Sequence, residues 1–325
     1  MREDVRRWLR RRTHTAGDYD VPALVRAKAA RGSTVSVVLP ALDEERTVGA
    51  IVSAIRRELV ERAPLVDELV VVDSGSTDRT AATAAAAGAR VVRADQVLVP
   101  HGTVAGKGEA LWKSLHVTDG DLVVFIDSDL ISFDPHFVVG LLGPLLTDPA
   151  IGYVKGFYDR PLSTVEGLVP TGGGRVTELA ARPLLNALWP ALSGFVQPLS
   201  GEYAGRRELL EQVPFVSHYG VEVGLLIDLA ELAGIDALAQ VDLGTRQHSH
   251  QSDAALGRMA GQILQTVLAR CHGIGVPSDQ LTQFVRTGGD IEAVTWDVGV
   301  LERPPMRTVP EYAARRAQRV AGDLA

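Results

Sequence analysis

Residues 123–130 read V-V-F-I-D-S-D-L. Four apolar side chains run without a break into two carboxylates set one residue apart. A strand with one wet face alternates apolar and polar residues, whereas an unbroken apolar run is buried on both faces. The stretches T-V-S-V-V-L-P-A-L (34–42), D-E-L-V-V-V-D-S-G-S-T-D (67–78) and A-R-V-V-R-A (89–94) share that character. Helical segments separate them: 48–62 with Thr47 as cap, an Ala-rich helix capped by Thr77 or Asp78 and ended by Gly88, and 108–117. Strands alternating with helices predict an α/β architecture, a mainly parallel central sheet flanked by helices. Ligands on such sheets bind outside the carboxyl ends of the strands. Three strands end in polar residues: Pro40-Ala41-Leu42-Asp43-Glu44, Asp73-Ser74-Gly75-Ser76 and Asp127-Ser128-Asp129. The paired aspartates therefore stand at the ligand edge.

Composition narrows the function classes. The chain has 325 residues, 46% hydrophobic and 22% charged, as in ordinary soluble proteins. A net charge of −7 argues against nucleic acid as the main partner. Cys271 is the only cysteine, which rules out an intrachain disulfide and fits a reducing compartment. The N-terminus lacks the apolar core of an export signal, and no run of about 18 apolar residues appears. The expectation is a cytoplasmic protein with no membrane partner. Of 33 basic residues only Lys28, Lys107, Lys113 and Lys155 are lysines. Arginine is thus the default cation here, and any one arginine needs a local reason to be functional.

The second half is less regular. Strands are expected at 151–158, within 198–207 and at 235–244. Helices are expected after the Gly-rich turn 171–178, over 219–234 with Gly234 as stop, and over 253–271 with Asp253 as cap. Residues 1–30 read as an irregular, mobile or loosely docked N-terminal arm and 301–325 as an exposed tail. Between them, 31–150 and 151–300 form two halves of one domain.

The residues suggest chemistry of their own. One carboxylate of D-S-D suits a hard divalent cation and the other a sugar hydroxyl, as a nucleoside diphosphate requires. A solvated strand end explains the same pair more plainly. In G-G-G-R-V-T (172–177) glycines turn N–H groups toward an anion, and Arg175 offers a fork to phosphate or carboxylate. A flexible loop before a helix is the alternative. Glu222 stands among apolar neighbours near a helix start, where a cap-region charge is equally expected.

Together P-A-L-D-E-E, V-V-D-S-G-S-T-D and F-I-D-S-D, in that order, resemble the GT-A glycosyltransferases. The later motifs T-G-G-G-R-V-T-E-L, Q-P-L-S-G-E-Y-A, Y-G-V-E-V-G-L-L-I-D and Q-V-D-L-G-T-R-Q-H resemble the glucosyl-3-phosphoglycerate synthase family, over residues 34 to 308. That resemblance implies a GT-A fold and a retaining, metal-dependent transfer of glucose from an NDP-glucose, UDP-glucose foremost, to the 2-hydroxyl of 3-phosphoglycerate. It implies Mg²⁺ or Mn²⁺ held by Asp129 and His248. Pro40, Ala41, Leu42, Glu44, Ser74, Lys107, Asp127, Ser128, Asp129 and Arg246 would bind the donor. Gly174, Arg175 and Thr177 would hold the acceptor, and Glu222, with Asp129, would act at the reacting sugar. It also implies a homodimer, and a product used in glucosylglycerate or methylglucose polysaccharide synthesis. Rival readings are a GT-A transferase with another donor or acceptor, such as GDP-mannose, a nucleotidyltransferase, and a non-catalytic sugar-nucleotide sensor.

Overall fold

Among the described residues of the computed structural model (1–159, 162–164, 167–169, 174–245, 252–271, 274–287 and 290–323) eight strands form one central sheet. They are β1 (Thr13–Thr15), β2 (Val35–Ala41), β3 (Glu68–Asp73), β4 (Arg90–Arg93), β5 (Leu122–Phe125), β6 (Tyr153–Asp159), β7 (Tyr203–Arg206) and β8 (Leu238–Thr245). Their order is β1-β8-β6-β7-β5-β2-β3-β4. Only β7 runs antiparallel, to both β5 and β6; the other pairings are parallel. Seven strands thus end at one edge.

Alternate residues of a strand face opposite ways, and here both directions are dry. Val38, Val70, Val72, Val123 and Phe125 join one core, and Val37, Leu39, Val71 and Val124 the other. The Val48–Ile55, Thr80–Ala86 and His136–Thr147 helices cover the second core. The Lys107–Val117, Arg182–Leu188, Val221–Ala233 and Asp253–Ala269 helices cover the first. This double cover is why the strands read as unbroken apolar runs.

Both termini differ from expectation. Residues 1–30 are not irregular: the Glu3–Arg12 helix, β1 and the Val21–Arg31 helix dock on the sheet. Val5 and Trp8 form a short apolar stripe that the surrounding arginines mask in the sequence. The Trp8 indole donates to the carbonyls of Ile235 (2.9 Å) and Leu238 (3.0 Å), and its ring lies 4.6 Å from that of Phe195. The C-terminal segment is no free tail either. Glu302–Arg303 pairs antiparallel with Phe215–Val216, and Arg303 clasps the buried Glu109 at 2.6 and 2.9 Å. The following Pro310–Asp323 helix buries Tyr312 and ties Arg315 to Asp119 at 2.7 Å. Tail arginines find carboxylates across the fold, which a sequence cannot display.

Local capping differs as well. The Thr47 hydroxyl donates to the Glu44 carboxylate at 3.0 Å instead of capping its helix. Ser252, not Asp253, caps the Asp253–Ala269 helix. An antiparallel hairpin, Gln280–Thr287 with Asp290–Asp297, was not expected. No helix among the described residues is long and apolar enough to cross a membrane.

Docking of the N-terminus is testable. Trp8→Ala removes a buried aromatic and two hydrogen bonds, and its expected cost is about 3–5 kcal/mol in urea unfolding. A loss below about 1 kcal/mol would mean that the first helix does not contribute to the core.

Candidate active site

The exits of β2 and β3 are sewn together. The Asp43 N–H donates to Ser76 Oγ (3.0 Å), and Asp43 Oδ1 accepts from the Thr77 N–H (2.7 Å). The Glu44 N–H donates to Thr80 Oγ1 (2.7 Å), and Glu45 exchanges bonds with Asp78 and the Arg79 N–H. Asp43 takes a left-handed φ of +57° to make this turn, a conformation that Asp tolerates better than most residues. Asp43 and Glu45 are thus occupied within the protein. Leu42 is exposed, Ser74 donates its N–H to the Ala41 carbonyl (2.9 Å), and the Ser128 hydroxyl donates to the Pro40 carbonyl. Pro40, Ala41, Leu42, Ser74 and Ser128 therefore stand together at one edge.

Lys107 reaches the same place from the other side. It opens its helix directly after Gly106, whose φ is +108°. A Cβ at Gly106 would press on the backbone of His218, and one at Gly108 would overlap the Val216 carbonyl. The two glycines therefore permit a close approach of 106–108 to 216–218, which sets Lys107 beside the start of the Val221–Ala233 helix. There its ammonium pairs with Asp127 and, at 2.9 Å, with Glu222. Desolvation works against the ammonium's charge, but Asp127 and Glu222 outweigh it and hold the Lys107 pKa well above the ordinary lysine value. Glu44 also belongs to this edge. Burial, and then the charges of Asp129 and Asp127, push its pKa up.

Behind Lys107 lie polar residues that the sequence reading did not single out. Lys155, in the middle of β6, is fully buried and donates to the Ser200 carbonyl at 3.0 Å. Its ammonium sits 4.5 Å from the centre of the Tyr203 ring, and Lys107 lies 5.9 Å from the same ring. Burial pushes the Lys155 pKa down to about 7 and the buried Tyr153 and Tyr203 phenols well up. One signal was available: Lys155 is one of four lysines, set within an otherwise apolar strand, I-G-Y-V-K-G-F-Y.

The expected acceptor residues lie on another segment. Arg175 pairs with Asp253, and Thr177 is buried at the start of the turn that leads into the Arg182–Leu188 helix. The glycines at 172 and 173 fall outside the described residues, as do Arg246 and His248, which follow the end of β8. The described acids suit a hard cation: Asp129 is exposed, Asp127 half-buried, and both are near enough to Glu44 to raise its pKa. Among the described residues no three His, Cys, Asp or Glu side chains converge as a complete ligand set.

Comparisons with known proteins give the family and the structural neighbours of the chain. The glycosyl transferase family 2 model matches residues 36–212. The chain is 51% identical over 310 residues to the glucosyl-3-phosphoglycerate synthase of Mycolicibacterium paratuberculosis, covering 93% of this chain and 92% of that one. It superposes on mannosyl-3-phosphoglycerate synthase from Rubrobacter xylanophilus with a TM-score of 0.87 at 40% identity, over 94% and 98% of the two chains. It superposes on the Mycobacterium tuberculosis glucosyl-3-phosphoglycerate synthase, solved with Mn²⁺, UDP and phosphoglyceric acid, with a TM-score of 0.80 at 50% identity, over 89% and 95%.

The shared ammonium gives a direct test. Lys107→Met leaves Asp127 and Glu222 without their common cation, and its expected cost is about 3 kcal/mol in chemical denaturation. Adding Glu222→Gln should recover part of that loss. A Lys107→Met protein as stable as the parent would show that the ion pairs contribute nothing to folding.

Proposed function

The chain belongs to glycosyl transferase family 2 and, within it, to the glucosyl-3-phosphoglycerate synthases, and on that footing we propose that it transfers glucose from UDP-glucose to the 2-hydroxyl of 3-phosphoglycerate. The fold is GT-A, and the product is glucosyl-3-phosphoglycerate. The observation that carries this reading is the joining of Asp127 and Glu222 through Lys107 at the carboxyl edge of the sheet.

Within the reading, 31–150 bind the donor and 151–300 supply the acceptor side of the same domain. Pro40, Ala41, Leu42, Glu44, Ser74 and Ser128 line the nucleoside end. Lys107, Asp127 and Arg246 orient the diphosphate and sugar. Asp129 and His248 would hold Mg²⁺ or Mn²⁺, which when bound neutralises charge on the departing diphosphate. Gly174, Arg175 and Thr177 hold the acceptor's anionic groups, Arg175 by exchanging Asp253 for the ligand. Glu222, kept dry beside Lys107, orients the 2-hydroxyl or stabilises positive charge on the sugar, and the anomeric configuration is retained. The product's anomeric proton coupling tests that last point.

The protein acts in the cytoplasm as a homodimer. Support for the dimer is the hairpin of 280–297, which exposes Phe284, Val285, Ile291 and Trp296. Light scattering should give twice the chain mass, and Phe284→Glu with Ile291→Glu should halve it; a monomeric parent sinks the dimer.

A donor panel decides the reaction. With 3-phosphoglycerate and Mn²⁺, UDP-glucose should release UDP and yield a phosphorylated glucoside, and chelation should stop it. GDP-glucose and GDP-mannose are the rival arms, the second because a mannosyl enzyme superposes so well. Arg175→Ala should raise the KM for 3-phosphoglycerate at least tenfold and leave that for UDP-glucose unchanged. Nucleotide release that ignores 3-phosphoglycerate would overturn the acceptor assignment.

A further inference from the structure

The motif Q-P-L-S-G-E-Y-A (197–204) supplies none of the donor, acceptor or metal residues named above, yet it runs directly behind the donor edge. Ser200 folds back on Gln197, its N–H donating to the Gln197 carbonyl at 3.1 Å. The Gln197 side chain is held in turn by the backbone of Tyr158. Gly201 then lies so close to the strand exit that a Cβ there would overlap the Asp127 carboxylate. Any larger residue at 201 would displace the Asp127 carboxylate, and whatever fixes the turn fixes the space in which that carboxylate sits.

Lys155 is what fixes it. The register places Phe125, Tyr203, Lys155 and Gln240 in one row across β5, β7, β6 and β8. From this row the Lys155 ammonium donates to the Ser200 carbonyl, one residue before Gly201. It also lies over the Tyr203 ring, on which Lys107 bears from the site. Among the described residues no carboxylate comes within ion-pair distance of Lys155. Glu222, Glu202 and Asp127 act on it only at longer range. A buried lysine with a carbonyl as its main hydrogen-bond partner is costly to the fold. An apolar residue would suit this row better if stability alone decided. The Tyr203 hydroxyl, buried and without a hydrogen-bond partner among the described residues, is a further cost in the same row.

We propose that Lys155 is a positioning residue of the donor pocket: by gripping the Ser200 carbonyl and the Tyr203 ring it holds the Gly201 turn against Asp127 and the ring against Lys107. The inference rests on the reading of Asp127 and Lys107 as donor-binding groups. Lys155 touches no substrate in it; it acts through Asp127 and Lys107.

The test uses the full chain, with steady-state kinetics in both substrates and calorimetric titration of UDP with Mn²⁺ present. Lys155→Met keeps the length and apolar stem of the side chain and removes the ammonium. Its UDP-glucose KM should rise about tenfold, on the scale of one lost charge-assisted hydrogen bond. UDP affinity should fall in parallel, and the KM for 3-phosphoglycerate should stay within twofold. Gly201→Ala reaches the same carboxylate from the turn and should give the same one-sided change. If Lys155→Met does not fold, Gly201→Ala alone decides. Combining either variant with Asp127→Asn should add little to the loss from Asp127→Asn alone. A UDP-glucose KM within twofold of the parent, or equal losses toward both substrates, would overturn the proposal. If Asp127→Asn itself leaves UDP-glucose binding unchanged, the donor-pocket reading fails, and the role of Lys155 fails with it for that separate reason.

Discussion

A single ammonium between two carboxylates holds the two halves of this chain to one purpose. Asp127 comes from the exit of a central strand and Glu222 from a helix almost a hundred residues later. Two anions do not share a half-buried site unless a cation stands between them. Lys107 is that cation, and it arrives only because Gly106 and Gly108 allow backbone to lie against backbone. The G-K-G motif is therefore a packing device first: it brings the charge to the edge and the second half of the chain to the charge.

Around that contact the protein invests in rigidity. The exits of β2 and β3 bind one another through Asp43, Glu44 and Glu45. Lys113 is fully buried and donates to the carbonyls of Ala94 and Gly102, which anchors the segment leading to Lys107. Glu109 balances both Lys113 and Arg303, so the same helix fastens the C-terminal segment. In the proposed function, a nucleotide diphosphate would meet oriented groups here and spend little binding energy on ordering them. Lys155 and Tyr203 continue the pattern inward. They place polar groups where apolar ones would be more stable, a trade that functional sites commonly make.

Sequence alone determined the sheet, its mainly parallel sense and the edge where its polar strand ends gather, because a strand buried on both faces must be apolar throughout and its first polar residues mark the way out. The D-S-D pair and the P-A-L-D-E-E turn were legible for that reason: chain direction puts them at one edge whatever the details, whereas Lys107, at a helix start, was legible only through the family resemblance. Tertiary structure alone decided what each acid does. Asp43 and Glu45 bind the neighbouring turn, Glu44 feels the aspartates, and Asp253 holds Arg175 rather than capping its helix. Distance sets these roles, and partners 33, 34 or 78 residues apart leave no periodic trace in a sequence. The termini were misjudged for the same reason. Val5 and Trp8 are too few to outweigh six arginines in a composition, yet these two side chains, a pair of indole hydrogen bonds and the buried Arg12 paired with Asp148 dock the helix.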